Sequence, residues 1–272
     1  MAANMMYTAI AGLNTFSDAL SIVSDNIANS NTTGWKSNTV DFGDLVSGLM
    51  PTADVNITAQ GVGSQILGVT SDWSTGNEVQ TGTWSDLMIQ GNGFFAVQEG
   101  LTSGPVYYTR DGSFQINSAG YLTDENGYYV LDNSSGTGKP IQCYDTSGGG
   151  GGGVPYASYG IDQYGNLTGT NSKGVVVPIK TLQIATFNNP NGLVREGANV
   201  YTPGASAGTA ANGTAGSGQA GTIIAGALEG SNVDLTQQMV NLITYQADYQ
   251  ANSKSIATGS TLLQTVVGLI PG

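Results

Sequence analysis

Leu235, Leu242, Tyr249, Ile256, Leu263 and Ile270 stand seven residues apart without a gap. Met239 and Val267 add the intermediate apolar position at the two ends, while Gln246, Ser253 and Ser260 leave it polar in between. Such a repeat predicts a long helix with one apolar seam, the pattern of a chain that packs along another helix. Ser231 or Asp234 can cap its start, because a short side-chain oxygen accepts from the first free N–H groups. The N-terminus repeats the pattern. Met6, Ala9, Leu13, Phe16, Leu20, Val23 and Ile27 alternate steps of three and four, predicting a helix over 3–30, roughly 42 Å long at 1.5 Å per residue. The run Asn29-Ser30-Asn31-Thr32-Thr33-Gly34 ends it. Two helices with narrow seams bury little surface as an isolated hairpin, and lateral packing with copies of the chain buries more. The seam residues of both ends are therefore the candidate assembly interface.

The middle of the chain reads as β. Leu87–Ile89, Phe94–Gln98, Val106–Thr109, Tyr128–Leu131, Val175–Ile179 and Leu182–Phe187 are rich in β-branched and aromatic residues and bounded by Gly, Asn and Asp. Asp111-Gly112 and Asn126-Gly127 read as hairpin turns. Ile116 to Thr123 and Ile161 to Thr168 share one pattern: an apolar residue, Asn or Asp, a Gly three later, then Leu-Thr. That pattern suits a tight hairpin with its Gly in the left-handed region. The six glycines 148–153 and the Gly/Ala/Ser/Thr-rich stretch 203–222 read as flexible loops. The expected fold is α+β: long N- and C-terminal helices paired as a coiled coil, with a central, mostly antiparallel β domain. The expected divisions are a helix at 1–34, a linker and β extension at 35–75, an outer β domain at 76–222, and a C-terminal strand and helix at 223–272.

Composition removes several functions. Seven Lys+Arg against nineteen Asp+Glu give a net charge of −12, so no basic stripe exists for nucleic acid and an anionic membrane surface is disfavoured. The chain has no His, which removes the usual general base and the commonest metal ligand. Cys143 is a single cysteine and has no intrachain partner. Gly91-Asn92-Gly93 lacks the rest of a dinucleotide fingerprint and precedes a strand. Asp111, Asp124 and Asp132 read as turn residues rather than ligands. Tyr107, Tyr108, Tyr128 and Tyr129 read as sheet packing rather than a sugar platform. No catalytic, cofactor or metal site is expected, and the chain reads as a structural subunit, not an enzyme. No basic, apolar leader and no run of eighteen apolar residues occurs, so neither a cleaved signal nor membrane insertion is expected. Charged residues are only 10%. A surface of small polar groups is compatible with close packing against identical copies, and equally with a low-charge extracellular protein.

Four motifs carry a resemblance. They are Gly12-Leu13-Asn14 with Asn26-Ile27-Ala28-Asn29 and Thr33-Gly34-Trp35-Lys36; Leu87 to Phe95; Tyr108-Thr109-Arg110-Asp111-Gly112-Ser113-Phe114; and Leu228-Glu229-Gly230-Ser231-Asn232-Val233-Asp234-Leu235 followed by Tyr249 to Lys254. In this order they resemble the bacterial flagellar rod and hook proteins over nearly the whole chain. Trp35 stands where that family usually has Phe, and Ala247-Asp248 where Arg-Gly or Arg-Ala is frequent. The resemblance implies a homo-polymeric tube outside the cytoplasmic membrane, with the terminal helices inside and the β domain outside. It implies export through the flagellar type III apparatus and contact with other axial proteins of the rod, hook cap and hook–filament junction.

Ser231–Leu235 and Tyr249–Lys254 are most similar to hook subunits. This implies a flexible joint that transmits torque, with the segment 46–75 setting its stiffness and small, polar, wet outer contacts exchanging partners. The alternative within the family is the distal rod subunit, a rigid shaft. A secreted β-scaffold binding module is the alternative outside it.

Overall fold

A computed structural model describes residues 2–46, 61–133, 138–145 and 154–268. The glycine run 148–153, Ile270 and the whole gap 47–60 between the first two strands lie outside them. The chain forms two compact units, one from 1–30, 37–72 and 233–272, the other from 31–36 and 73–232. These units divide the chain at 72/73 and 232/233.

The helical unit contains α1 (Ala2–Ala28), β1 (Asn38–Val46), β2 (Gly61–Ser71) and α2 (Leu235–Gly268). Asp234 caps α2: its Oδ1 accepts from the N–H groups of Thr236 and Gln237 at 2.9 and 3.2 Å. β1 and β2 pair antiparallel from Asn38 opposite Ser71 to Val46 opposite Gly61. β2 lies against α1, where Thr15 Oγ1 donates to the Ser64 carbonyl at 2.8 Å.

The two helices pack against each other and run antiparallel. Met5 and Met6 lie beside Gly259, Gly12 beside Asn252, Phe16 beside Tyr245 and Asn26 beside Gln238. On α2 these contact residues, 259, 252, 245 and 238, stand in steps of seven. Small faces large along this line. A Cβ on Gly12 would sit 2.9 Å from Asn252 Oδ1, and one on Gly259 3.1 Å from Met5 Cε. The helices therefore approach closely at Gly12 and Gly259.

The sheet unit is antiparallel throughout. Its strands include β3 (Glu78–Gln80), β4 (Leu87–Gln90), β5 (Phe94–Gln98), β6 (Val106–Thr109), β7 (Gln115–Ile116), β8 (Leu122–Thr123) and β9 (Tyr129–Val130). A nine-stranded sheet is centred on β5, which pairs with β6, β9 and Ile184–Thr186. Alternation along β5 places Phe95 and Val97 in one apolar cluster with Leu87, Leu122 and Leu182. Phe94 and Ala96 enter a second with Tyr108, Leu131 and Phe187. β5 is covered on both faces, which is why its sequence is a continuous apolar run.

One loop geometry recurs four times. Asn117, Asp124, Asp162 and Asn171 each accept, through Oδ1, from the N–H groups two and four residues on. Three residues after each stands a glycine at φ between 78° and 85°, namely Gly120, Gly127, Gly165 and Gly174. The side chain mimics a turn and the glycine takes the left-handed position that a hairpin of this length needs. The repeated sequence pattern showed two of the four, and the dipeptide Asn126-Gly127 marked a third.

Two sequence expectations are corrected. Asp111-Gly112 is not a left-handed hairpin turn: Gly112 is absent from the positive-φ residues among those described. It is a point of close approach, where a Cβ would collide with the Leu87 carbonyl, and Leu87 N–H donates to the Gly112 carbonyl at 3.0 Å. Residues 203–222 are not a flexible linker. Ala211–Gly213 pairs with Ile184–Thr186, and Ala207 and Ala215 are buried. A Cβ on Gly221 would strike the Gln90 carbonyl, so small residues here serve close backbone packing.

Candidate assembly surface and a buried charge cluster

The seam residues take different positions in the helical unit. In α1, Ala9 and Val23 are buried, and Met6, Leu13, Phe16, Leu20 and Ile27 are half-buried. In α2, Leu242 and Ile256 are half-buried, but Leu235, Met239, Tyr249 and Leu263 are exposed, Met239 by 54%. Val240, Ile243, Leu262 and Val267 are exposed as well. The side of α2 that meets α1 carries Gln238, Tyr245, Asn252 and Gly259 instead. Sequence reasoning missed these residues, with Gly12 and Asn26 opposite, because it counted apolar residues only. Their own seven-residue spacing was the available signal.

One polar residue on this inner side is fully engaged. Asn26 is completely buried. Its Nδ2 donates to the Asn38 carbonyl at 2.7 Å and to Gln238 Oε1 at 3.4 Å, while its Oδ1 accepts from Asn38 N–H at 2.9 Å. One side chain thus ties α1 to β1 and α2. Phe16, Phe42 and Tyr245 form an aromatic trio on the same three elements, with centroids 5.7–6.1 Å apart. Elsewhere on α2, Leu235, Met239, Val240, Ile243, Tyr249, Leu262, Leu263 and Val267 leave apolar side chains exposed.

The sheet unit contains a buried ion cluster. Glu229, in the strand Ala227–Glu229 that pairs with β3, is completely buried, as is Lys36. Lys36 Nζ donates to Glu229 Oε1 at 2.5 Å and to the Ser74 carbonyl at 2.6 Å. Gly76 N–H donates to the same carboxylate oxygen at 3.0 Å, and Arg110 Nη1 lies 3.4 Å from Oε2. Burial pulls the Arg110 guanidinium below its ordinary pKa, and Glu229 opposes that shift. Backbone bonds reinforce the cluster: Gly34 N–H donates to the Glu229 carbonyl at 2.7 Å and Asn232 N–H to that of Trp35 at 3.4 Å. Lys36, Arg110 and Glu229 come from three of the four sequence motifs, so segments separated by up to 193 residues meet on one carboxylate.

Little in this geometry performs chemistry. Among the described residues no group of three or more Cys, Asp or Glu could hold a metal ion, and no helix is long and apolar enough to cross a membrane. Cys143 is buried and its thiol is pushed up to about 12 by burial, which keeps it protonated and unreactive.

Three family descriptions match in chain order: the flagella basal body rod protein at 6–36, the flagellar hook protein FlgE/F/G D1 domain at 88–180, and the flagellar basal body rod FlgEFG protein C-terminal at 224–269. The chain is 34% identical over 274 residues to the flagellar basal-body rod protein FlgG of Bacillus subtilis, covering 97% of this chain and 98% of that protein. It is 31% identical over 267 residues to FlgG of Caulobacter vibrioides, covering 94% and 95%. The chain belongs to the flagellar rod and hook protein family. It is a structural subunit of the flagellar axis, not an enzyme. Similarity to a hook protein is partial: FlgE of Treponema pallidum is 43% identical over 112 residues, which cover 41% of this chain and 24% of that protein. The C-terminal motifs read as most similar to hook subunits fall within the match at 224–269, whose description covers FlgE, FlgF and FlgG together.

Proposed function

We propose that this chain is the distal rod subunit of the flagellar basal body, polymerising into a stiff tube that transmits torque. The observation that carries the reading is end-to-end similarity to basal-body rod proteins FlgG, against similarity to a hook protein over about a quarter of its length. The exposed side of α2 supplies the assembly surface. Leu235, Met239, Leu242, Tyr249, Ile256 and Leu263 seat against copies of the same helix region, with Met6, Ala9, Leu13, Phe16, Leu20, Val23 and Ile27 of α1 supporting the layer. Burying such side chains contributes roughly 1.5–3 kcal/mol each, and a helical polymer of identical copies repeats that gain along its length.

The remaining features agree with this role. Subunits travel through the flagellar type III apparatus and meet other axial proteins at the two ends of the rod, outside the cytoplasmic membrane. A chain that must pass a narrow channel unfolded is served by a fold without disulfides. The bending account tied to the hook reading is withdrawn. Of its segment 46–75, residues 61–71 form a strand paired with β1 across two register shifts, and 47–60 lie outside the described residues. The test is electron microscopy of the purified chain under polymerising conditions: straight, stiff tubes support the rod. Curved or supercoiled tubes restore the hook, and a monomer that never polymerises, even when seeded, overturns both.

A further inference from the structure

A cavity of about 180 Å³ opens in the sheet unit beside the ion cluster, walled by Trp73, Phe94, Arg110, Phe187, Asn188 and Gln219 among others. Among the described residues, Arg110 is the only charged one in its wall. The side chain is 2% exposed, its guanidinium lies 5.1 Å from the Phe94 ring centroid, and its Nε–H is buried without an acceptor. Its contact with Glu229 is long, at 3.4 Å, since the other carboxylate oxygen is taken by Lys36 and Gly76. A guanidinium has five N–H donors in a planar fork, and a buried donor left unmade costs about 1–3 kcal/mol. The site thus has a cation with spare donors at the wall of an aromatic box.

We propose that this cavity receives a carboxylate side chain of a neighbouring copy of the chain, which pairs with Arg110. The inference rests on the assembly reading. The ligand chemistry follows from the wall: Arg110 demands an anion of planar, two-oxygen shape, and Trp73, Phe94 and Phe187 suit the methylene stem of an acidic side chain while excluding water. A second copy is the occupant because the chain carries nineteen carboxylates against seven cations, so identical neighbours present acidic side chains far more often than basic ones. Pairing in a water-poor box is stronger than at an open surface, which makes the contact a register lock rather than a loose surface bridge.

The test uses the full-length chain and acetate as probe. The indole N–H of Trp73, assigned with Trp73→Phe, is followed by NMR as sodium acetate replaces sodium chloride at constant ionic strength. The expected result is a saturable shift with acetate and none with chloride. Asn188→Phe and Gln219→Phe narrow the cavity from exposed positions away from the ion cluster. Each is expected to weaken the acetate effect and to raise the critical concentration for polymerisation about tenfold. Arg110→Gln should abolish the acetate effect, and the two narrowing variants keep the test decisive if that protein fails to fold. An acetate-insensitive Trp73 overturns the site. Acetate binding with narrowing variants that polymerise like the parent chain overturns the neighbouring copy as its occupant. Failure of the parent chain itself to polymerise would instead count against the assembly reading, while the acetate titration still reports on the cavity.

Discussion

Lys36 Nζ and Glu229 Oε1 lie 2.5 Å apart with neither side chain exposed to water. A pair of this kind is dear to assemble and dearer to break, since removing one partner strands the other's charge in the interior. Glu229→Gln leaves both Lys36 and Arg110 without their shared carboxylate. It should destabilise the sheet unit by about 3–5 kcal/mol, read from denaturant midpoints of the full-length monomer. Lys36→Met leaves Glu229 with Arg110 and Gly76 and should cost less. Equal losses from the two variants would show that the cluster does not depend on Glu229 as its shared anion.

The recurring Asx-and-glycine loop separates backbone strain from collision. A Cβ on Gly174, at φ 78°, meets nothing within 4 Å, whereas one on Gly120, at φ 81°, would lie 2.6 Å from the Tyr144 ring. Gly174→Ala should therefore lose roughly 1–2 kcal/mol, the left-handed penalty alone. Gly120→Ala should lose more. Thermal unfolding of the two variants side by side measures the difference.

Met239→Glu and Leu263→Glu place charge on the exposed side of α2 without touching the line of Gln238, Tyr245, Asn252 and Gly259. Both sites are exposed, by 54% and 39%, so monomer stability should change by no more than about 0.5 kcal/mol. Polymerisation should be lost. Sedimentation under polymerising conditions reads the outcome, and tubes that still form would remove this stripe from the interface.

Asp111 gives a pH dependence of definite sign. Burial raises its pKa above the usual carboxylate value, and hydrogen bonds from Ser113 only partly offset this. As pH rises through the unfolded-state value, the unfolded chain releases its proton while the folded chain still holds it. Asp111 thus favours the fold in acid, and this contribution is lost as pH climbs through the folded-state value. Asp111→Asn should flatten stability across that acid window. An unchanged profile by denaturation at several pH values would mean that Asp111 ionises in the fold as it does in the unfolded chain.

Much of this molecule could be read from residue order, and the failures share a cause. Heptad spacing marked both helices, Asp234 capped where an N-cap was expected, and the apolar run at 94–98 became the central strand. Local pattern suffices there, because helix capping and strand burial act over a few residues. The stretch 203–222 was misread because Gly and Ala signal flexibility by composition, yet serve close packing when a neighbouring strand is available. Asp111-Gly112 was misread for the same reason: its glycine answers to Leu87 across the fold, not to a local turn.

The sequence by itself determined that long helices stand at both ends, that antiparallel strands lie between them, and that four ordered motifs mark a flagellar axial family. It could not decide which side of each helix is covered inside the subunit. Periodicity describes a helix's own geometry, whereas the covered side depends on contacts between helices, such as Gly12 with Asn252 and Phe16 with Tyr245. Nor could it decide that Lys36, Arg110 and Glu229 share one buried site. Charge pairing across most of the chain leaves no local pattern, and only the closed fold brings those three side chains out of water together.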